Sequence, residues 1–345
     1  MRKAFFPAVA LAAVIVSCSS PHAYYLEGSG QEQKRMEALF NLLDSGNLSI
    51  DERFAVTHKI SSFFMDQNQL GRLVSFLADE VAGNPDGPYN ARHLLSIAYA
   101  YALQGADSIA VLYFDRIVKN YADLEIGGES IHYVCLRRLL TLVADPGRRI
   151  DYRRELISRF PDRVDMGAEL FLLGTEYEAT GEWESAIDAY RRFLPYFDSE
   201  IPGYPDATQY ARSFIDLATT KKDWAFDTLD ELLGLVRKAF DAGDSRSLSR
   251  LRAKVGFFAM SWNQDRDDGN SQVQFDLGAF MPGRVRYADK LDPSSNAREA
   301  FLRTTGWTER LPTWYLYFRK IDFPADPEVH GRWEWAGIYF GEKLQ

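Results

Sequence analysis

Two stretches of this chain repeat each other position by position. Leu94, Ile97, Ala98, Tyr101, Gly105, Ala110, Phe114 and Ile117 form the first. Leu170, Leu173, Gly174, Tyr177, Gly181, Ala186, Tyr190 and Phe193 form the second, with identical internal spacing. Steps of three and four residues between apolar positions predict helices, and each glycine falls where one helix turns into the next. Small residues stand where two helices must touch, and aromatics where the next pair must be anchored. A unit of this kind leaves an apolar face that only a neighbouring unit covers, so the chain is constrained to stack helix hairpins. Such a stack builds a surface for holding something rather than a reaction centre.

Extending the register both ways gives further units. One starts near Thr57, with Ile60 and Phe64 on its first helix and Leu77 on its second, and ends at Asn84-Pro85. Another starts near Tyr133, carries Leu136 and Leu140, and ends at Phe160-Pro161. First-helix anchors thus fall at 57, 94, 133 and 170, spaced by 37, 39 and 37 residues. The unit near 133 is irregular. Its second helix places Arg149 where a small residue is needed and Arg153 where an aromatic is needed, unless Asp145-Pro146-Gly147 shifts the helix so that Tyr152 and Leu156 face inward.

The pattern resembles the tetratricopeptide repeat, a 34-residue helix hairpin with Leu-Gly, Tyr, Ala and Phe at fixed offsets. The second stretch matches through Leu173-Gly174, Tyr177 and Ala186. The first has Ile97-Ala98 for Leu-Gly but keeps Tyr101, Ala110 and Phe114. Ala122 and Asp198 stand where the signature ends in proline. The resemblance implies an α-α superhelix whose ligands lie against the first helix of each unit. Carried over, those positions are Arg92, Leu95, Tyr99 and Ala102 in one repeat and Ala168, Phe171, Thr175 and Glu178 in the other. Tyr99 and Phe171 are the expected anchors, because rigid aromatics give contact area at low entropic cost.

The first residues read as an address. Arg2 and Lys3 precede an apolar run, Ala4 to Val16, that is too short to span a bilayer comfortably. It runs into Ile15-Val16-Ser17-Cys18, which resembles the bacterial lipobox. That resemblance implies a signal peptide over residues 1–17, acylation of Cys18 with palmitate-type chains, and anchoring without a spanning helix. Residues 18–31 then read as a tether and 32–222 as the repeat domain. Cys135, the other of two cysteines, has no partner and reads as a small core residue.

After Val255 the character changes. Val255–Trp262, Val273–Phe280, Trp314–Ile321 and Arg332–Phe340 read as strands, with a helix across Asn296–Arg303. Residues 223–345 are therefore expected to form a small, aromatic-rich α+β domain. Alternation puts Trp314, Leu316 and Phe318 on one side of their strand, leaving Tyr315 and Tyr317 as a candidate surface. Likewise Trp333, Trp335 and Gly337 oppose Glu334 and Ala336.

Signals of catalysis are scarce. The five histidines lack metal-ligand spacing, and no nucleophile elbow or phosphate loop occurs. Asn263 to Asn270 has wrong residues at two ligand positions of a calcium loop and at its closing carboxylate, so it reads as a solvated acidic loop. No cofactor or metal is expected. The net charge of −9 argues against nucleic acid as a partner. Against this acidic background, residues 137–163 carry eight arginines and four carboxylates. Arg149 and Arg153 on this stretch either meet an acidic partner or form the polar faces of two helices with local ion pairs.

The expected protein is a non-catalytic lipoprotein scaffold that gathers a protein or peptide partner in the bacterial envelope. It resembles repeat lipoproteins of the outer-membrane-assembly type, which share a lipobox followed by repeats with Phe-Pro turns. Ser19 after Cys18 resembles the pattern that sends such proteins to the outer membrane. Two other readings stand beside it: an accessory component of solute uptake that binds a small molecule, and an envelope enzyme with its site in the C-terminal domain.

Overall fold

Helix boundaries follow capping chemistry written in the sequence. The computed structural model describes residues 22–26, 30–264, 277–281, 285–308 and 311–343, and the lipobox with Cys18 lies outside them. The described residues divide into two compact units, 1–144 and 145–345. The first holds α1 (Gln31–Asp44), α2 (Ile50–Asp66), α3 (Leu70–Gly83), α4 (Asn90–Leu103), α5 (Asp107–Asn120), a two-stranded turn of β1 (Glu125–Ile126) and β2 (Glu129–Ser130), and α6 (Ile131–Leu142). At α2, Ser49 and Glu52 form a reciprocal capping box that satisfies two otherwise orphaned backbone N–H groups. Ser130 caps α6 by accepting from Tyr133 N at 3.0 Å.

The second unit opens with α7 (Pro146–Arg159), α8 (Met166–Thr180), α9 (Trp183–Phe193) and α10 (Ala207–Thr219). It continues through α11 (Leu229–Asp241) and α12 (Ser245–Leu251) into a sheet. Its strands are β3 (Phe258–Ser261), β4 (Arg286–Tyr287), β5 (Glu299–Thr305), β6 (Thr313–Lys320) and β7 (Trp333–Phe340), in spatial order β3-β7-β6-β5-β4. Only the β3–β7 pair is parallel. The chain is thus a set of tetratricopeptide-like helix hairpins followed by α+β structure.

The two repeated sequences form the hairpins α4–α5 and α8–α9, and they end their first helices in the same way. Gly105 and Gly181 sit at φ 72° and 77°, a left-handed conformation that costs glycine nothing. Ala106 N and Glu182 N then donate back to Tyr101 O and Tyr177 O, each at 2.9 Å. Ala98, Ala110, Phe114, Ala186, Tyr190 and Phe193 are all fully buried. At Gly174 an added Cβ would lie 2.5 Å from the Tyr190 ring, so the helices meet there at a distance that excludes any side chain.

A continuous core runs across residues 222 and 223. Leu170, Phe171, Tyr190, Phe193 and Phe214 of the helices share it with Trp224, Ile321, Phe323 and Val329. A second core lies between α11–α12 and one face of the sheet, joining Leu232, Val236, Phe240 and Leu248 to Leu316, Phe318, Trp335 and Ile338.

Several expectations are corrected. The helix expected over 296–303 is absent from these residues: Asn296 Oδ1 accepts from Arg298 N and Glu299 N in a turn, and residues 299–303 open β5. The strand then buries Ala300, Leu302 and Thr304 alternately; cross-strand pairing outweighs the helical propensity of Ala, Arg, Glu and Leu. Of the expected strand over 273–280, the described part, Leu277–Phe280, is a 3-10 turn. The loop expected as acidic and solvated lies outside the described residues from 265 on. Tyr315 and Tyr317 are 5% and 1% exposed, packed with Phe258, Phe301, Trp262 and Tyr339, so both faces of β6 are core. A bulge between Tyr317 and Phe318 shifts the β7 register and pairs Gly337 with Tyr317, opposite the face that carries Trp335. Part of the expected tether is docked as well. His22 stacks on Phe40 at 4.4 Å, and Tyr25 lies against Phe40, Phe64 and Phe76.

Candidate functional site

In the first unit the first-helix positions form a cationic, aromatic face. Arg92 on α4 is half-buried, with Ser96 Oγ 3.5 Å from its Nη1. Among the described residues it makes no ion pair. Burial pulls its pKa below the usual arginine value, and the nearby Tyr99 only partly offsets this. Tyr99, one turn further along, meets Phe114 edge-on at 5.7 Å. The guanidinium of Arg138 on α6 lies 5.2 Å from the Tyr99 ring centroid, within cation–π range. Arg138 is exposed and also lacks an ion pair.

His93 stands behind this face, 9% exposed. Burial first, and then the charges of Arg92, His58 and Arg53, push its pKa down to about 4. His58 is lowered by burial and by Arg92. Arg53 is itself paired with Glu80 at 2.8 Å, so of these groups Arg92 is the cation that the described residues leave without a carboxylate. Of the carried-over positions beside them, Leu95 is 6% exposed and belongs to the core.

The second arginine cluster has the opposite character. Asp145 caps α7 by accepting from Arg148 N at 2.8 Å, and Pro146 occupies the first helical position. This register turns Ile150, Tyr152 and Leu156 inward, and Arg153 with them, 3% exposed. Arg153 reaches two carboxylates of α8. It bonds Glu169 and donates to Glu176 through Nε at 2.9 Å and Nη2 at 2.8 Å. Burial alone would lower its pKa, but Glu176 and Glu169 reverse that and leave it raised. Arg149 Nε donates to the same Glu176 at 2.8 Å. Of the two readings of Arg149 and Arg153, an acidic partner or local ion pairs, the described contacts are ion pairs within the fold.

Phe171 is also withdrawn from solvent. It is fully buried, 5.2 Å from Phe193 and 5.0 Å from Tyr204. It offers no area to a ligand. Thr175 is half-buried and donates to Leu172 O at 2.8 Å. Glu178 accepts from the hydroxyls of Tyr190 and, at 2.9 Å, Tyr210. Burial raises its pKa, and the two tyrosine bonds oppose the rise.

Two cavities adjoin α8. One of about 920 Å³ is lined by Arg154 and Arg192 against Asp151 and Glu155, a balance that selects no charge of ligand. The other, of about 460 Å³, is largely aromatic and has Glu178 at its wall. Cys135 is a fully buried free thiol, its pKa raised by burial. Among the described residues no cluster of His, Cys, Asp and Glu has the form of a metal site, and no helix is long and apolar enough to cross a membrane.

Sequence reading missed Arg138 as a partner of Tyr99. The signal lay in the repeat register, which sets the first helices of successive units side by side. It also missed the aromatic cavity, whose walls come from segments more than a hundred residues apart.

No family model and no curated protein matches the chain. Among solved structures it is similar to a MamA RS-1 ArsTM double mutant, at 15% identity over 57% of this chain and 91% of that one, with a TM-score of 0.30. It is also similar to a tetratricopeptide repeat protein from Parabacteroides merdae, at 14% identity over 56% of this chain and 75% of that one, TM-score 0.33. A kinesin light chain from Podosopora anserina with nearly identical TPR-like repeats gives 12% identity, coverages of 58% and 93%, and a TM-score of 0.28. At these scores the hairpin assignment rests on the chain's own helix pairing and turn geometry.

Proposed function

We propose that this chain is a non-catalytic scaffold that holds a protein or peptide partner against the first-helix face of its hairpins. The observation that carries this reading is the group of Arg92, Tyr99 and Arg138, two arginines without ion pairs around one half-buried tyrosine. A fold gains nothing from leaving a half-buried guanidinium unpaired, whereas an interface gains from an aromatic anchor flanked by planar donors. The lipobox-like sequence ending at Cys18 supports anchoring to a membrane surface in the bacterial envelope. Ser19 supports the periplasmic side of the outer membrane.

The test is affinity purification of the lipidated, full-length protein from its own envelope. The wild type is expected to recover a stoichiometric protein partner, and the double variant Arg92→Glu, Arg138→Glu to lose it while remaining folded. Equal recovery by both would reject this face as the binding surface. Labelling with a fatty acid is expected to mark the wild type and not Cys18→Ser.

A further inference from the structure

The cavity beside α8 has walls from three separate segments. Trp183 comes from the start of α9, Tyr210 and Phe214 from α10, and Phe323 from the loop after β6. Phe214 and Phe323 meet edge-on at 5.0 Å and are 6% and 4% exposed. Tyr210 is 44% exposed and Trp183 half-buried, so aromatic surface continues from the buried side of the cavity to its rim. The opening, about 460 Å³, is in the range of small-molecule sites.

Its charged groups have one sign. Glu178 and Asp322 line it, and no lysine or arginine does. Glu178 makes no ion pair among the described residues; the hydroxyls of Tyr190 and Tyr210 hold its carboxylate in place. Asp322 is 91% exposed, with His330 Nδ1 3.8 Å away. The nearby Lys222 is taken up by Asp326 at 3.3 Å and by the Leu217 carbonyl, so it does not neutralise the site.

We propose that this cavity binds a small organic cation, an alkylammonium compound seated among the aromatic side chains beside Glu178. Anions are disfavoured by both carboxylates. A sugar would need several side-chain hydrogen-bonding partners; Tyr210 already donates to Glu178, and beyond the two carboxylates the lining offers Ser213 and the Trp183 indole N–H. A neutral hydrocarbon would gain only from burial. An ammonium group gains from the negative faces of aromatic rings and from a carboxylate already fixed by its tyrosine bonds. The preorganised carboxylate supplies attraction without paying again for its own ordering.

Calorimetric titration of the full-length protein in detergent, with choline and with its uncharged isostere 3,3-dimethylbutan-1-ol, tests this. Saturable 1:1 binding of choline is expected, with the isostere weaker by about tenfold or more. Glu178→Gln is expected to weaken choline binding by about tenfold. Because that change touches a buried hydrogen-bond cluster, Ala179→Lys is the parallel variant. Ala179 is an exposed lining residue, so an ammonium there competes for the site without disturbing the core. It is expected to abolish choline binding with the melting temperature unchanged. Absence of saturable choline binding, equal binding of the isostere, or undiminished binding by Ala179→Lys would each overturn the proposal. None of these variants alters the Arg92–Tyr99–Arg138 face, so this proposal and the scaffold reading fail separately.

Discussion

On α4, Arg92 is half-buried and makes no ion pair among the described residues, whereas on α7, Arg153 is 3% exposed and held between Glu169 and Glu176. Both arginines come from the repeat region, and both stood out in the sequence as candidates for partner binding. Their surroundings separate them. A guanidinium taken fully out of water is tolerable only with carboxylates and hydrogen bonds around it, and α8 supplies two glutamates on one face, about two turns apart. Arg92 keeps one side in solvent and needs no such partner. A count of arginines therefore says little about binding, and what matters is whether the chain itself has already provided the counter-charge.

The comparison breaks most readily at Arg153. Arg153→Met removes the guanidinium that bridges the buried Glu169 and Glu176, and a loss of about 3–5 kcal/mol is expected. All seven tryptophans fall within residues 145–345, so intrinsic fluorescence during urea unfolding follows the unit that contains Arg153. The triple change Arg153→Met, Glu169→Leu, Glu176→Met is expected to recover much of the loss, because the one charge that loses its partner, Arg149, is 30% exposed and reaches water. A single-variant loss below about 1 kcal/mol would mean that the cluster is not structural.

His93 gives the next largest effect, and it belongs to the other side of the comparison. Its pKa is pushed down to about 4 in the folded chain, from an ordinary histidine value of 6.5. A histidine with a depressed folded pKa contributes its full share of stability above the unfolded value. That share is lost as pH falls from about 6.5 towards 4, because the unfolded chain takes up the proton first. The difference corresponds to about 3 kcal/mol at most. Thermal melts followed by far-UV circular dichroism are expected to show this acid loss in the wild type and a flatter profile in His93→Phe. Arg92→Gln removes one of the charges that depress the pKa, so it is expected to make the acid loss smaller and to end it at a higher pH. Arg153→Met is expected to leave the His93 profile unchanged.

At the equivalent positions Gly174 and Ala98 the same hairpin is built to two tolerances. Gly174→Ala drives a methyl group into the Tyr190 ring and is expected to cost about 1–3 kcal/mol. The reciprocal Ala98→Gly removes a buried methyl from a helix interior and is expected to cost about 1 kcal/mol. If Gly174→Ala proves neutral by tryptophan fluorescence, the contact between α8 and α9 is looser than its geometry implies.

The hairpins were legible because their constraints are local. Glycine at Gly105 and Gly181, small residues at Ala98 and Gly174, and the spacing between them all act within one helix pair. The change of character after Val255 was legible through β-branched and aromatic content. The fate of Phe171 was not, because Tyr204 and Tyr210, which cover it, come from beyond the repeat. Nor was that of Arg153, whose inward turn depends on the Asp145-Pro146 cap and on glutamates one helix away. Residues 299–303 read as helix because Ala, Arg, Glu and Leu favour one in isolation. Pairing with β6 decided otherwise, and a bulge that no residue type announces moved Gly337 to the opposite face.

The smallest expected effect on stability sharpens the comparison most. Arg92→Gln and Arg138→Gln together remove two cations that make no ion pair among the described residues, so the unfolding free energy from urea titration is expected to change by no more than about 0.5 kcal/mol per site. Any change at Arg92 tends towards stabilisation, because a half-buried charge without a partner costs desolvation that glutamine avoids. The same double variant is expected to lose the captured partner, whereas Tyr99→Phe, which keeps the ring beneath Arg138, is expected to retain most of it. Arg153 is the reverse case, with large stability loss and no direct role at a surface. If the double variant unfolds like Arg153→Met, then Arg92 and Arg138 serve the fold after all, and the distinction between a supplied and an awaited counter-charge fails for this chain.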